Sequence, residues 1–268
     1  MSKFLGIDFS GGARPWRLSL RNPTVWIATV CGGKPRLTEL TPVQALPGTG
    51  STFDRLVELL RKGDFEVAAI DAPFSIPSEH ARCLHSDLIQ RIRTMPNGSD
   101  RPFPMGKSIL ELANAELLLR QQKPLRETEA FWVSRGIATR STLWNGPRGG
   151  APFTAACLRL IERAGRPCWP WSEYQPGILA EAFPAAQLYQ WNLPYRSYSG
   201  QEGKGVRERI VAGLEDRLHI DSDKAELMVA SPDALDAVVA TFAAMAVARK
   251  AVVGFSAGPE DGFIAVAA

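Results

Sequence analysis

The chain has 268 residues, 45% of them hydrophobic, and a formal net charge of +3, which excludes a disordered chain and gives enough sequence to bury a sizeable core. Its four cysteines (Cys31, Cys83, Cys157, Cys168) show no CxxC spacing, and with three histidines they make no zinc cluster and read as free thiols. The positive charge is concentrated: residues 82 to 150 carry 11 Arg or Lys against six acids, so this stretch is +5 and the remainder −2, a local reason to consider an anionic partner.

Residues 3 to 9 read as a strand, Gly11-Gly12 as a turn, Thr24 to Val30 as a second strand closed by Gly32-Gly33, and Arg36 to Leu40 as a third. Phe53, Leu56, Val57, Leu59 and Leu60 recur at helical spacing behind the caps Ser51 or Thr52. Val67 to Ile70 is then a continuous apolar run, as in a strand covered on both faces. A helix between strands implies a crossover, which makes this fourth strand parallel to the first.

Residues 78 to 150 break the pattern, with loops at Pro96-Asn97-Gly98 and Pro102-Phe103-Pro104, a helix over 108 to 122 and a Gly-rich exit at Gly146 to Gly150. Phe153 to Ala164 reads as a helix ended by Gly165, and Gly177 to Pro184 as a fifth strand. Short helices follow around Ala185 to Gln190 and Lys204 to Leu218, then a helix from Pro232 to Arg249 that is apolar nearly all round and therefore buried. These elements predict an α/β fold: a mixed five-stranded sheet with flanking helices and a largely helical insertion, residues 79–165, between strands 4 and 5. The N-terminus shows no charged, apolar and cleavage regions of an export signal, and the longest apolar stretch, Ala237 to Ala248, is too short to cross a bilayer. The expected location is the cytoplasm.

Acids mark the ends of these elements: Asp8 closes the first strand, Asp71 the fourth, and Asp233 and Asp236 open the last helix. A charge at an apolar edge needs a partner or a metal, and acids on three segments suggest one shared cation. Oxygen ligands suit Mg2+ or Mn2+, and such a centre with room for a phosphate suits phosphodiester hydrolysis. Each acid also has a plainer explanation. Asp8 and Asp71 could be turn residues, and Asp233 lies in the first turn behind the N-cap Ser231 and Pro232, where an acid complements the helix dipole. Asp236, one turn in and among apolar neighbours, is the better ligand. Glu181 sits mid-strand between Ala180 and Ala182, where a structural glutamate needs a buried cation.

Gly11-Gly12 could cradle a phosphate, though such a pair is more often a turn. Lys204, Arg207 and Arg209 could hold one, and Arg135 and Arg140 could contact nucleic acid beside Phe103, Trp132 and Trp144, unless those residues are a solvated helix face and aromatic packing. His80 and His85 flank Cys83 near the Asp71 loop, with a general-base role conceivable and surface histidines commoner.

The order of a three-strand meander with an acid on the first strand, a crossover, an acid on the fourth strand and a DxxD pair on the last buried helix resembles the RNase H-like superfamily. Within it, Gly6-Ile7-Asp8-Phe9-Ser10, Ile70-Asp71-Ala72-Pro73-Phe74-Ser75-Ile76-Pro77, Glu181-Ala182-Phe183-Pro184-Ala185, Ser231-Pro232-Asp233-Ala234-Leu235-Asp236-Ala237 and Glu260-Asp261-Gly262-Phe263-Ile264 are similar to the signatures of domain-of-unknown-function family 429, whose members are described as predicted RNase H-like nucleases. The resemblance implies a single RNase H-like domain over 1–268. It also implies a Mg2+ or Mn2+ site carried by Asp8, Asp71 and Asp236 or Asp233, with nucleic acid as substrate. Many superfamily nucleases carry Glu on the fourth strand; Asp71 is one methylene shorter, and Glu181 is the candidate for the missing reach. Sugar kinases and actin-like ATPases share the topology and are the alternative, although neither a duplicated Asp-Gly pattern nor an adenosine motif is present. A non-catalytic nucleic-acid-binding module is a third reading, against which the five acids Asp8, Asp71, Glu181, Asp233 and Asp236 speak.

Overall fold

The computed structural model describes residues 2–113, 123–146, 149–254 and 260–268. In chain order the first elements are β1 (Lys3–Asp8), β2 (Trp26–Cys31), β3 (Arg36–Pro42), α1 (Thr52–Lys62) and β4 (Val67–Asp71). Helices α2 (Ser78–Ala81), α3 (His85–Thr94), α4 (Gly106–Leu112), α5 (Glu127–Val133) and α6 (Ala151–Ala164) then lead to β5 (Ile178–Ala182). The chain ends with α7 (Pro184–Gln190), α8 (Lys204–Leu214), α9 (Ser222–Ala230), α10 (Pro232–Arg249) and β6 (Ile264–Ala265).

The result is a mixed α/β fold. The sheet has the order β3-β2-β1-β4-β5-β6; β2 runs antiparallel to β1 and β3, whereas β4 is parallel to β1, β5 to β4 and β6 to β5. Six strands replace the expected five. The sixth is only two residues long, too short to show alternation, and pairs Glu181 with Ile264 and Ala182 with Ala265.

Local chemistry explains the boundaries. Ser51 Oγ accepts from the amide of Asp54, whose carboxylate accepts in return from the Ser51 amide, a reciprocal cap that starts α1. Gly63 and Gly165 end α1 and α6 in the left-handed region, where a Cβ is strained. In the region between β4 and α6, α2, α3 and α5 form where the sequence shows no long periodicity. Of the helix expected over 108 to 122, α4 covers the start and residues 114–122 lie outside the described residues. Arg120 and Arg148 of the basic stretch also lie outside them.

The sheet divides the core in two. Leu5, Ile7, Ala68, Ile70 and Leu179 face a cluster with residues of α1, α3, α4 and α6, and Phe4, Val67, Ala69, Ile178 and Ala180 face one built largely on α10. The alternation is the period of two that a strand imposes on its side chains. No single helix among the described residues is long and apolar enough to cross a membrane.

Candidate metal centre

The parallel register of β1 and β4 pairs Asp8 with Asp71. Both continue the rows that face α10, Phe4-Gly6-Asp8 on one strand and Val67-Ala69-Asp71 on the other, so two neighbouring strands, roughly 4.8 Å apart, present two acids side by side. The third acid comes from α10, and Gly6 decides how close it comes. A Cβ on Gly6 would lie 2.1 Å from the Ala237 carbonyl oxygen and 2.6 Å from the Thr241 amide nitrogen. Without that Cβ, the helix backbone rests directly on β1, with Asp236 one residue before the contact. Asp8, Asp71 and Asp236 thus each offer a carboxylate oxygen, all within 4.8 Å of one another.

The three acids open onto a cleft of about 500 Å³ that Asp233 also lines. Burial and mutual repulsion both act against ionisation. Asp8 is pushed well above the usual carboxylate range by burial, then by Asp236, Asp71 and Asp233. Asp236 is raised well above it by burial, and next by Asp71; the Tyr198 hydroxyl, donating to its Oδ1 at 2.9 Å, works in the opposite direction. Burial lifts Asp71 to about 7, with the positive charge of Arg140 moderating the rise and the charge of Glu181 adding to it, and burial lifts Asp233 to about 6. Clustered acids that burial holds short of charge are what a divalent ion would relieve, and an all-oxygen set suits a hard cation.

A family model described as "Protein of unknown function (DUF429)" matches residues 6–261. The chain belongs to this family. The match spans every acid of the DUF429 cleft. No curated protein and no solved structure matches the chain.

Glu181 of this DUF429 protein also lines the cleft, where a structural partner engages it. It pairs in register with Ile70, one residue short of Asp71, and by strand alternation its side chain leaves the sheet on the face opposite the acids. There it meets Arg126. The guanidinium donates to Glu181 Oε1 at 2.5 Å and Oε2 at 2.7 Å, and to Glu129 Oε1 through Nε at 3.2 Å and Nη2 at 3.1 Å. Glu181 Oε2 also accepts from the Phe74 amide at 3.0 Å, and Arg126 Nη1 reaches Ser75 Oγ at 3.3 Å. Glu181 therefore has the buried cation a structural glutamate requires. It fastens the loop that follows Asp71 and does not extend that residue's reach. Arg126, counted in the basic stretch, is buried in this pair.

The basic candidates separate in the same way. Arg140 lines the cleft beside Asp71. Arg135 is exposed and spread over the Phe131 ring, 3.5 Å from its centroid, and Lys204 is exposed on α8; neither lines the cleft. Arg207 departs from the expectation of a phosphate ligand: it is buried, with its guanidinium donating to the carbonyls of Val229, Tyr198 and Gly200. It holds the segment that carries Tyr198. Phe103 and Trp132 are fully buried packing residues, and Trp144 is partly exposed under Lys123.

A Cβ on Gly11 would meet the backbone of Pro152 and Phe153 at 2.4–2.5 Å, and the Gly12 amide already donates to Ser10 Oγ. Close chain packing therefore accounts for the glycine at position 11. Ser231 Oγ caps α10 by accepting from the Ala234 amide, as expected. His85 stacks on Trp171 with centroids 3.6 Å apart and is lowered to about 4 by burial, so it is neutral at neutral pH, and it does not line the cleft. The site residues that sequence reasoning missed are Tyr198 and Arg126. Tyr198 has no local signal, since its partner Asp236 lies 38 residues away; the i, i+3 pair Arg126–Glu129 is visible in the sequence, but Glu181, 55 residues from Arg126, is not.

Proposed function

We propose that this DUF429 protein is a metal-dependent nuclease of RNase H-like fold that hydrolyses phosphodiester bonds of RNA or DNA through Mg2+ or Mn2+. The observation that carries the reading is the convergence of Asp8, Asp71 and Asp236 within 4.8 Å at one end of the sheet. The fold class is supported by the antiparallel β1–β3 meander, the parallel β4 and the acids on β1, β4 and the last long helix.

Asp8, Asp71 and Asp236 would hold the ion. When bound, one or two such ions would supply an activated water and a counter-charge for the leaving oxygen. The chain's own residues do the rest. Tyr198 fixes the rotamer of Asp236 by donating to Oδ1, and Arg207 fixes Tyr198 through its carbonyl. Arg140 places a cation where a substrate phosphate would meet the acid cluster. The Arg126–Glu181 clamp keeps the Asp71 loop in place, so the acids are positioned before substrate arrives.

The test is hydrolysis of end-labelled RNA and DNA oligonucleotides by the full chain in Mg2+ and in Mn2+, with EDTA and Asp8→Asn as controls. Cleavage that requires the metal and is lost in Asp8→Asn is expected. Metal-independent cleavage, or full activity in Asp8→Asn, would overturn the reading.

A further inference from the structure

The cleft has walls as well as a floor. Phe153, Phe183 and Tyr195 line it and are each partly exposed, and Arg140 is the one Arg or Lys among the described residues that do so. Arg140 lies over the Phe153 ring, 5.4 Å from its centroid. A cation and several aromatic faces thus stand around the acid cluster in a cavity of about 500 Å³.

That volume falls within the roughly 300–1,000 Å³ typical of small-ligand sites. A duplex is gripped differently, through a broad, strongly basic interface of about 1,000–2,500 Å² that neutralises many phosphates. Among the described residues, the other basic candidates do not supply such a track to this cleft: Arg126 and Arg207 are buried and engaged, and Arg135, Lys204 and Arg209 lie outside its lining. Aromatic faces suit an unstacked base, because every base has a π-face and stacking tolerates any sequence.

Resting on the nuclease reading, we propose that the cleft takes one unstacked nucleotide at a time, from a single strand or a frayed end, with its base on the aromatic wall and its phosphate between Arg140 and the acid cluster. A paired, stacked nucleotide does not fit this arrangement. Double-stranded substrate must first pay the cost of unpairing, so blunt duplexes are poor substrates and single-stranded overhangs are good ones. Few phosphates are neutralised, which keeps the salt dependence shallow.

The experiment compares one sequence as a labelled single strand, a blunt duplex and a duplex with an overhang, with a labelled oligomer of abasic tetrahydrofuran residues as a base-free diester, using the full chain in Mn2+. Cleavage of the single strand and overhang about tenfold or more faster than the blunt duplex is expected. Phe153→Leu, which keeps bulk but removes the ring face, should slow cleavage of the strand and weaken its binding by fluorescence anisotropy in Ca2+ by about fivefold or more. Its effect on hydrolysis of the base-free diester should be several-fold smaller, and Phe153→Trp should restore strand binding. Binding of the single strand should fall with salt at a slope of about −0.7 to −1.4, that of one or two phosphates. Equal cleavage of blunt duplex and single strand, a steep slope, or an equal effect of Phe153→Leu on both substrates overturns the single-nucleotide proposal and leaves the nuclease reading standing. No hydrolysis of any of the four substrates overturns both.

Discussion

Arg126 and Glu181, 55 positions apart in sequence, form a buried bidentate ion pair at the edge of the cleft that holds the acid cluster. Glu129 shares the same guanidinium, and the Phe74 amide donates to Glu181. The pair therefore ties α5 and β5 to the loop that leaves β4 just beyond Asp71. Two glutamates on one arginine leave the cluster with a formal charge of −1, and burial accordingly raises Glu129 above its ordinary range.

Arg126→Met strands two buried acids, and breaking a buried pair from one side costs about 3–5 kcal/mol. Urea unfolding of this variant should show that loss, and adding Glu181→Gln should recover part of it, because the second substitution removes an uncompensated charge. A loss below about 1 kcal/mol in Arg126→Met would mean that the pair contributes little to the fold.

The acid cluster sets a pH dependence of stability. Asp8, Asp71, Asp233 and Asp236 all have folded values above their unfolded ones, so the stability tied to their protonated forms is complete below about pH 4 and is lost as pH rises through the folded values. With Asp233 near 6 and Asp71 near 7, the metal-free protein should lose on the order of 2–4 kcal/mol between pH 5 and 8. Under the metal reading, saturating Mg2+ reverses the slope, because ligands must be deprotonated to bind. Thermal melts from pH 5 to 8, with EDTA and with Mg2+, measure both slopes.

Asp8→Asn removes one of the repelling acids. The metal-free variant should melt at the same temperature as the parent or a few degrees higher at pH 8, where about 1 kcal/mol corresponds to 2–4 °C in a chain of this size. Its stabilisation by Mg2+ should be lost. A large drop in metal-free stability would instead make Asp8 a structural hydrogen-bonding residue.

Gly6→Ala forces a methyl group into the backbone of α10 at Ala237 and Thr241. Backbone cannot rotate away as a side chain can, so a destabilisation of about 1–3 kcal/mol or more is expected. Lifting α10 also moves Asp236 from Asp8, so calorimetric Mn2+ affinity should fall in protein that remains folded. An unchanged affinity would show that Gly6 does not set the spacing of the acids.

Tyr198→Phe deletes the hydroxyl that donates to Asp236 and helps hold its ionised form. Losing such a supporting contact typically costs about 10–100-fold in metal affinity. Protons should compete more strongly as well, moving the pH at which Mn2+ binding is half-maximal upward. An unaltered pH midpoint would show that the hydroxyl only fills space.

The sequence by itself determined the periodic parts of this protein. The β1–β4 order, α1 with its Ser51 cap, α6 with its Gly165 stop and α10 with its Ser231-Pro232 start all follow from local spacing and capping chemistry. It also marked Asp8, Asp71 and Asp236, because an acid at the edge of an apolar run is visible without coordinates. Only the tertiary structure decided which acids share a site. The β1–β4 register and the strand period of two set Asp8 and Asp71 on one face and turn Glu181 to the other, and a shift of one residue would have exchanged them. Likewise Arg207 reads as a phosphate ligand or a solvated helix-face cation until burial gives it the carbonyls of Val229, Tyr198 and Gly200, contacts that only the fold of the chain creates.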